Sequence, residues 1–395
     1  IGEDFVVKAL RIRIFGIVQG VGFRPFVSRL GERYGLNGTV SNRGSLVEIL
    51  ISLPVKNTEG FLRALKEEAP PRSRIMDMET ETVELSEALK GFSIIESTPE
   101  KGPIFVSPDI GICDACKEEL FNPKNRRYLH PFINCTDCGP RLTVMKGMPY
   151  DRERTCMHDF PMCSACESEY TNPSSRRYDA QPVCCNDCGP QVYIVGTDIK
   201  GGEAIAAARE ALCEGKIIAV KGIGGFHLCC DATNEAVVDK LRRLKLRPAK
   251  PLAVMAKNLE TAKRECVVTK AEERLLVGWE KPVVLMKKRC GGKAAPSVAP
   301  DNPFLGAMLP YAPLQLLLFS YPDGRPVSDL LVMTSANKSG MPICRSDEDV
   351  CRDLPGLCDL VLSHDREILL RVDDSVVTVF NEEPYMIRRS RGYAP

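Results

Sequence analysis

Eight cysteines fall into two sets of the form C-x2-C-x18-C-x2-C: Cys113, Cys116, Cys135 and Cys138, then Cys163, Cys166, Cys185 and Cys188. The segments CDACKEELFNPKNRRYLHPFINCTDCGP and CSACESEYTNPSSRRYDAQPVCCNDCGP align with an offset of 50 residues, which makes Cys185, not its neighbour Cys184, the repeating position. Two CxxC pairs about twenty residues apart let four thiolates close a tetrahedron around Zn2+ at about 2.3 Å. Redox dithiols and iron–sulfur clusters are the alternatives, but no cluster-type cysteine run is present. Four thiolates leave no open coordination position, and the segment has little apolar content of its own. Two structural zinc ions in sequential quartets are therefore expected, with pairs exchanged between the repeats as the other arrangement. Cys156 and His158, between the repeats, read as a surface turn, with a spare ligand pair as the alternative. Cys213, Cys229, Cys230 and Cys266 read as small, reduced core residues.

A second constellation is FGIVQGVGFR, residues 15–24, in which Gln19, Gly20, Val21, Gly22 and Phe23 lead into Arg24. Successive N–H groups in such a turn, followed by a helix N-terminus, form a concave site for an anion, and Arg24 adds a forked donor. The spacing G-x-x-x-G-x-G is neither a dinucleotide fingerprint nor a P-loop, so an ordinary hairpin remains the alternative. A third constellation is KLRRLKLRPAKPL, where Lys245, Arg247 and Lys250 cluster as a proline ends the helical pattern, together with Ser335 and Asn337 in TSAN. Taken alone, those cations also read as a solvated helix face.

The elements that must position these groups follow from periodicity. Leu10, Ile12 and Ile14 alternate with Arg11 and Arg13 as in a half-buried strand, and FVSRLGERYGL carries Phe26, Val27, Leu30 and Tyr34 at helical spacing. GTVSNRGSLVEILIS reads as a hairpin, TEGFLRALKEEA as a capped amphipathic helix, and METETVEL with GFSIIES as closing strands. That β-α-β-β-α-β order is the order of a ferredoxin-like sandwich. STPEKGPIFVSPD is a Pro/Gly-rich connector, followed by the helix-poor cysteine repeats. From GGEAIAAAREALCEGKIIAV onward, strand and helix patterns alternate as in an α/β domain. The predicted domains are 1–98, 99–192 and 193–395, consistent with 395 residues exceeding one hydrophobic core. With 53 Lys+Arg against 52 Asp+Glu there is no overall field for nucleic acid or anionic lipid. No run approaches the roughly 20 apolar residues of a membrane span, and the start lacks a leader pattern. A cytoplasmic protein with no membrane or nucleic-acid partner is expected.

GIVQGVGFR and GTVSN resemble the two acylphosphatase signatures, which implies Arg24 as phosphate ligand and Asn42 as the residue that orients the attacking water. The Lys245–Arg247 and Ser335–Asn337 pattern resembles the KxR…SxN hallmark of YrdC-like proteins. That likeness implies Lys245 and Arg247 on the triphosphate of Mg-ATP, Ser335 and Asn337 near the nucleotide, and His227 of GGFHLCCDA in the carbamate pocket; Lys250, in the same cationic loop, is a further nucleotide-binding candidate. RVDDS and IRRSRG match the closing segments, making Arg371 and one of Arg388, Arg389 or Arg391 candidate phosphate contacts. Together with FINCTDCGPR, MPYDR and RRSRGYAP, the three motif sets in this order resemble the HypF family of [NiFe]-hydrogenase maturation carbamoyltransferases. The implied architecture is α+β and α/β multidomain: a ferredoxin-like acylphosphatase sandwich, two small four-cysteine zinc fingers and a YrdC-like α/β domain. The implied chemistry is carbamoyl-phosphate hydrolysis, then adenylation of the carbamate, for transfer to HypE.

Departures from the family pattern are Asp179 where His is expected, and Ala312 and Gln315 where Thr and His are usual. The family's transfer step belongs to a further domain with a His-rich metal motif. The four histidines of this sequence form no such cluster, so partial reactions without complete transfer are expected. Threonylcarbamoyl-adenylate synthesis for tRNA explains the last domain but not the acylphosphatase signature. A zinc-dependent nucleic-acid-binding module is disfavoured by the near-zero net charge.

Overall fold

The alternation of Ile12 and Ile14 with Arg11 and Arg13 builds strand β1 (Val7–Ile17), whose inward isoleucines are fully buried. A computed structural model of the chain describes residues 7–54, 58–99, 105–338 and 340–395. The connector STPEKGPIFVSPD lies partly outside the described residues, at 100–104. By internal packing the chain forms two units, one of Ile1–Ser107, Asn134–Asp137 and Met145–Val183, the other of Pro108–Ile133, Cys138–Val144 and Cys184–Pro395.

In the first unit, β1 is followed by α1 (Phe23–Arg33), β2 (Gly38–Arg43), β3 (Leu46–Ser52), α2 (Thr58–Glu67), β4 (Arg74–Leu85) and β5 (Phe92–Ile94). The strands form one sheet in the order β4-β1-β3-β2-β5, with β1 antiparallel to both neighbours. The ferredoxin-like reading of the sequence matches this order. Both helices pack against one face because their apolar residues recur every three or four positions. Val27 and Leu30 of α1 and Phe61 and Leu65 of α2 share a core with Ile12, Ile14, Val40, Ile49 and Ile51. Glu48 of β3 is 4% exposed and pairs with Arg11, Arg13 and Arg43 at 2.8–3.6 Å.

The two cysteine repeats fold alike. Helices α3 (Asp114–Phe121) and α4 (Ser164–Thr171) both begin after the first cysteine of a quartet. Leu129 and Asp179, one repeat apart, both take φ of 56°, and their N–H groups donate to the Leu120 and Tyr170 carbonyls at 2.8 and 2.9 Å. Arg127 Nε donates to the Cys184 carbonyl at 2.8 Å and Arg177 Nε to that of Asn134 at 3.1 Å, so each repeat's arginine holds the equivalent carbonyl of the other repeat.

The second unit carries a mixed sheet. Its strands are β6 (Val192–Ile194), β7 (Ile218–Lys221), β8 (Phe226–Asp231), β9 (Val254–Ala256), β10 (Cys266–Val267), β11 (Val283–Lys288), β12 (Phe304–Met308), β13 (Leu330–Ser335), β14 (Leu360–His364), β15 (Val376–Phe380) and β16 (Glu383–Arg388). The order is β16-β15-β11-β12-β9-β13-β8-β7-β14-β6, with β10 on β11. Helix α5 (Gly201–Cys213) runs into β7 as the sequence predicts. Helix α6 (Glu235–Leu244) is capped by the Asn234 side chain and ends on Lys245. Cys229, Cys230 and Cys266 are core residues, but Cys213 is exposed, correcting the expectation for that position. It terminates α5, where the helical stripe no longer faces the sheet. Among the described residues, no helix is long and apolar enough to cross a membrane.

Candidate functional site

The glycine turn joins β1 to α1. Gly20 and Gly22 have φ of 70° and 77°, a conformation that side-chain-bearing residues rarely adopt, and Gly22 caps α1. The N–H groups of Val21, Gly22, Phe23 and Arg24 donate to no backbone carbonyl among the described residues, which leaves a concave set of donors at the helix N-terminus. The Gln19 side chain is engaged elsewhere. It donates to the carbonyls of Gly44 and Leu46 at 3.0 and 3.1 Å and accepts from the Tyr150 N–H at 2.9 Å. Asn42, on β2, is 1% exposed, and neither its amide nitrogen nor its oxygen has a hydrogen-bond partner. A buried amide left this way costs roughly 1–3 kcal/mol per group unless a ligand or water meets it.

Arg24 is held by groups outside both signatures. Its Nη1 donates to Asp151 Oδ1 at 2.7 Å and Ser97 Oγ at 3.1 Å, Nη2 donates to the Tyr150 carbonyl at 3.3 Å, and Nε lies 3.0 Å from Asp179 Oδ2. Burial opposes the guanidinium charge, but Asp179 and Asp151 outweigh it and raise the Arg24 pKa. Burial also lifts the Asp179 carboxyl above the usual carboxylate range, even beside Arg24. Asp179 Oδ1 accepts from Gln181 Nε2 at 2.8 Å. Arg24, Asp151, Tyr170 and Asp179 line a cleft of about 1020 Å³. Sequence reasoning gave no role to Asp151, and noted Asp179 only as a departure. The signal was in the repeat itself: the position equivalent to Asp179 in the first repeat is Leu129, an apolar-to-acidic change at a shared backbone geometry.

Both quartets close in sequential order, Cys113 with Cys116, Cys135 and Cys138, and Cys163 with Cys166, Cys185 and Cys188. Within each, the sulfur atoms all lie within 4.8 Å of one another. A tetrahedron with Zn–S bonds of about 2.3 Å separates its sulfurs by about 3.8 Å, and Cys185 Sγ and Cys188 Sγ are 3.8 Å apart. The quartets thus suit zinc. Cys156 is buried in a short turn and belongs to neither group.

In the α/β unit, Lys245 at the end of α6 reaches across 90 residues of sequence: its Nζ donates to the Ser335 carbonyl at 2.5 Å and to Asn337 Oδ1 at 3.2 Å. Ser335 Oγ also donates to Asn337 Oδ1, at 3.0 Å. Burial first, and then Arg247, lower the Lys245 ammonium pKa to about 8. Lys245, Arg247, Lys250, Ser335, Asn337 and Arg388 line one cleft of about 770 Å³. Arg371 does not line it; it donates to the Ile343 carbonyl and to Asp349 Oδ2, both at 2.9 Å. Neither does Arg391, which is 2% exposed, lies 3.3 Å from the centre of the Tyr311 ring and donates from Nε to Asp374 Oδ1 at 2.9 Å. Of the closing-segment arginines, Arg388 lines the cleft, whereas Arg371 and Arg391 are paired as described and Arg389 Nη2 donates to the Pro395 carbonyl at 2.7 Å. His227, opposite Ser335 in the β8–β13 ladder, has Nε2 2.8 Å from Asp374 Oδ2. Burial pushes the Asp374 carboxyl upward, but His227 and Arg391 outweigh this and hold it below the usual carboxylate range.

An acylphosphatase-like sandwich, paired four-cysteine fingers and a YrdC-like α/β fold in one chain define a multidomain protein with a glycine turn at a helix N-terminus in one unit and a cation-rich cleft in the other. Profiles of three families match: acylphosphatase over residues 10–94, the HypF finger over 112–145 and 162–195, and the Sua5/YciO/YrdC family, described as telomere recombination, over 210–390. The chain is 46% identical to carbamoyltransferase HypF2 of Cupriavidus necator over 98% of its own length and 50% of that protein's. It is 45% identical to carbamoyltransferase HypF of Synechocystis over 99% and 51%. A crystal structure of full-length HypF in a phosphate- and nucleotide-bound form superimposes with a TM-score of 0.92 at 46% identity, over 98% of this chain and 51% of that one. The chain belongs to the HypF carbamoyltransferase family, and it spans about half the length of these relatives.

Proposed function

We propose that this chain hydrolyses carbamoyl phosphate at the Arg24/Asn42 turn and uses the carbamate with Mg-ATP to form carbamoyl-adenylate in the Lys245 cleft. The product would serve carbamoyl transfer to HypE, towards the cyanide ligands of [NiFe]-hydrogenase. The observation that carries this reading is the meeting of Lys245 with Ser335 and Asn337 in one cleft, in a chain that also holds a glycine turn at the start of α1 and a buried Asn42 whose side chain has no hydrogen-bond partner. In the first step water adds to phosphorus and carbamate leaves, giving carbamate and phosphate. Asn42 orients the water, while the amide turn and Arg24 neutralise the phosphoryl oxygens. In the second, a carbamate oxygen attacks the α-phosphorus and pyrophosphate departs, held by Lys245, Arg247, Lys250 and Arg388. Mg2+ arrives on the ATP phosphates and lowers their charge. The related HypF described with phosphate and nucleotide supports both anion classes.

ATP–pyrophosphate exchange tests this directly. Exchange is expected with carbamoyl phosphate; a requirement for threonine plus bicarbonate, or indifference to carbamoyl phosphate, would sink the proposal. The pH dependence has a defined sign. The lowered ammonium pKa of about 8 means that the free protein loses the Lys245 cation as pH rises through that value. kcat/KM for ATP is therefore expected to fall between pH 7 and 9, and Lys245→Arg to flatten that fall.

A further inference from the structure

The last turn of α6 carries two arginines before Lys245, and the structure treats them differently: Arg243 is exposed, whereas Arg242 is 5% exposed. Among the described residues, every hydrogen bond of the Arg242 guanidinium goes to a main-chain carbonyl. Nη1 donates to Arg247 at 2.7 Å, to Lys250 at 3.1 Å and, more loosely, to Pro248 at 3.4 Å. Nη2 donates to Val298 at 3.0 Å, and Nε donates to Ser297. The acidic groups that feel its charge, Glu235 and Asp239, are engaged with Ser297 and with Arg243. Burial lowers the Arg242 pKa against their pull.

A buried cation that lacks a carboxylate partner is destabilising as a mere space filler, and an apolar side chain would pack there at lower free energy. What a guanidinium adds is five donors in one rigid plane, enough to gather several carbonyls at once. Three of the carbonyls gathered belong to the loop that carries Arg247 and Lys250. Both of those side chains line the large cleft, and Arg242 does not. A carbonyl oxygen is the negative end of its dipole, so a loop that is to hold an anion must keep such oxygens off it, and their engagement by Arg242 does so. The other two bonds anchor the clasp: the Val298 carbonyl also accepts from the Leu252 N–H at 2.9 Å, and Glu235 accepts from the Ser297 N–H at 3.0 Å. Free donors are left on the cleft residues. Arg247 donates from Nε and Nη2 to the Lys250 and Pro251 carbonyls at 3.3 and 2.7 Å, and among the described residues neither its Nη1 nor the Lys250 ammonium has a hydrogen-bond partner. Burial, and then the Arg242 and Arg388 charges, lower the Arg247 pKa, as expected of like charges held close.

We propose that Arg242 is a positioning residue for polyphosphate binding: without touching the nucleotide, it holds the 247–250 loop so that Arg247 and Lys250 present their cations to the β- and γ-phosphates. The proposal rests on the nucleotide reading of the Lys245 cleft given above and deepens it. Arg242 then acts on the terminal phosphates through those two side chains, and has no effect on a nucleotide that lacks them.

Calorimetric titration of the chain with ATP, and with AMP, which lacks the β- and γ-phosphates, tests this. Arg242→Lys is the variant of choice, because it keeps a buried positive charge but cannot reach five carbonyls with one ammonium. Its Kd for ATP is expected to rise about tenfold while that for AMP stays within about twofold, the effect of cations displaced by less than about an ångström. In a chain that already carries Arg247→Ala and Lys250→Ala, titrated at correspondingly higher nucleotide concentration, Arg242→Lys is expected to change the Kd for ATP by less than about twofold, because the side chains through which it acts are gone. Equal weakening of ATP and AMP, or an undiminished effect in that background, would make Arg242 a general structural residue and overturn the proposal. An unchanged Kd for ATP overturns it as well. Should Arg242→Lys not fold, Glu235→Ala makes the same test from an exposed position by releasing the Ser297 turn. ATP weakened about threefold with AMP unchanged supports the proposal, the effect of a partly loosened hydrogen-bond anchor, and no change overturns it. A native chain that binds neither nucleotide overturns the nucleotide reading of the cleft and this proposal together, whereas ATP binding that is indifferent to Arg242 overturns this proposal alone.

Discussion

Arg24→Ala is expected to reduce carbamoyl-phosphate hydrolysis by this chain about 10²–10³-fold, the usual cost of losing one preorganised donor at a developing oxyanion. Retention of hydrolysis in that variant would remove the site assignment. The more informative companion is Asp179→Asn. In the structure Arg24 already has anions: Asp151 at 2.7 Å and Asp179 at 3.0 Å. A phosphate entering the turn meets a guanidinium whose charge the two carboxylates already offset and four of whose five N–H groups are taken, so it competes with them for Arg24. Asp179→Asn removes one competing charge while retaining the shape. Inhibition of hydrolysis by inorganic phosphate is therefore expected to tighten about tenfold in this variant, measured as Ki. A weaker Ki would show instead that Asp179 serves to aim Arg24, not to compete for it.

Metal removal has the other large expected effect. Helices α3 and α4 have eight residues each, and α4 buries only Cys166 while α3 buries only Cys116 and Leu120. Helices this short are marginal alone in water, and these have almost no apolar face to dock. Zinc held by the two quartets would supply what burial does not, on the order of 10 kcal/mol per structural site. Metal analysis should return about two zinc ions per chain, and a strong chelator should abolish the cooperative unfolding transition of the cysteine repeats. Cys135→Ser should cost one zinc, and Cys163→Ser the other. A chain that keeps its folded spectrum and thermal transition after complete zinc removal would contradict the structural role.

Much of the fold was legible because its signals are local. The β1 alternation, the helical spacing of Val27 and Leu30 and the 50-residue offset of the cysteines are patterns of nearest neighbours and turns, and the backbone obeys them wherever they occur. The same locality explains the miss at Cys213: helical periodicity says which residues share a face, but not where along the helix that face stops being covered. RVDDS and IRRSRG offered several arginines of equal standing. Only packing separated them, sending Arg371 to Asp349, Arg391 beneath Tyr311 and Arg388 to the cleft.

By itself, then, the sequence determined the order of elements, the two metal quartets and the glycine turn, since each is set by spacing within a few dozen residues and by what glycine or cysteine alone can do. The tertiary structure decided which groups face one another: Arg24 with Asp151 and Asp179, Lys245 with Ser335 and Asn337, and Arg242 with Ser297 and Val298. Those pairings join residues up to about 155 positions apart. They exist because sheet register and helix packing bring the side chains together and exclude the water that would otherwise satisfy them, and no local pattern encodes that exclusion.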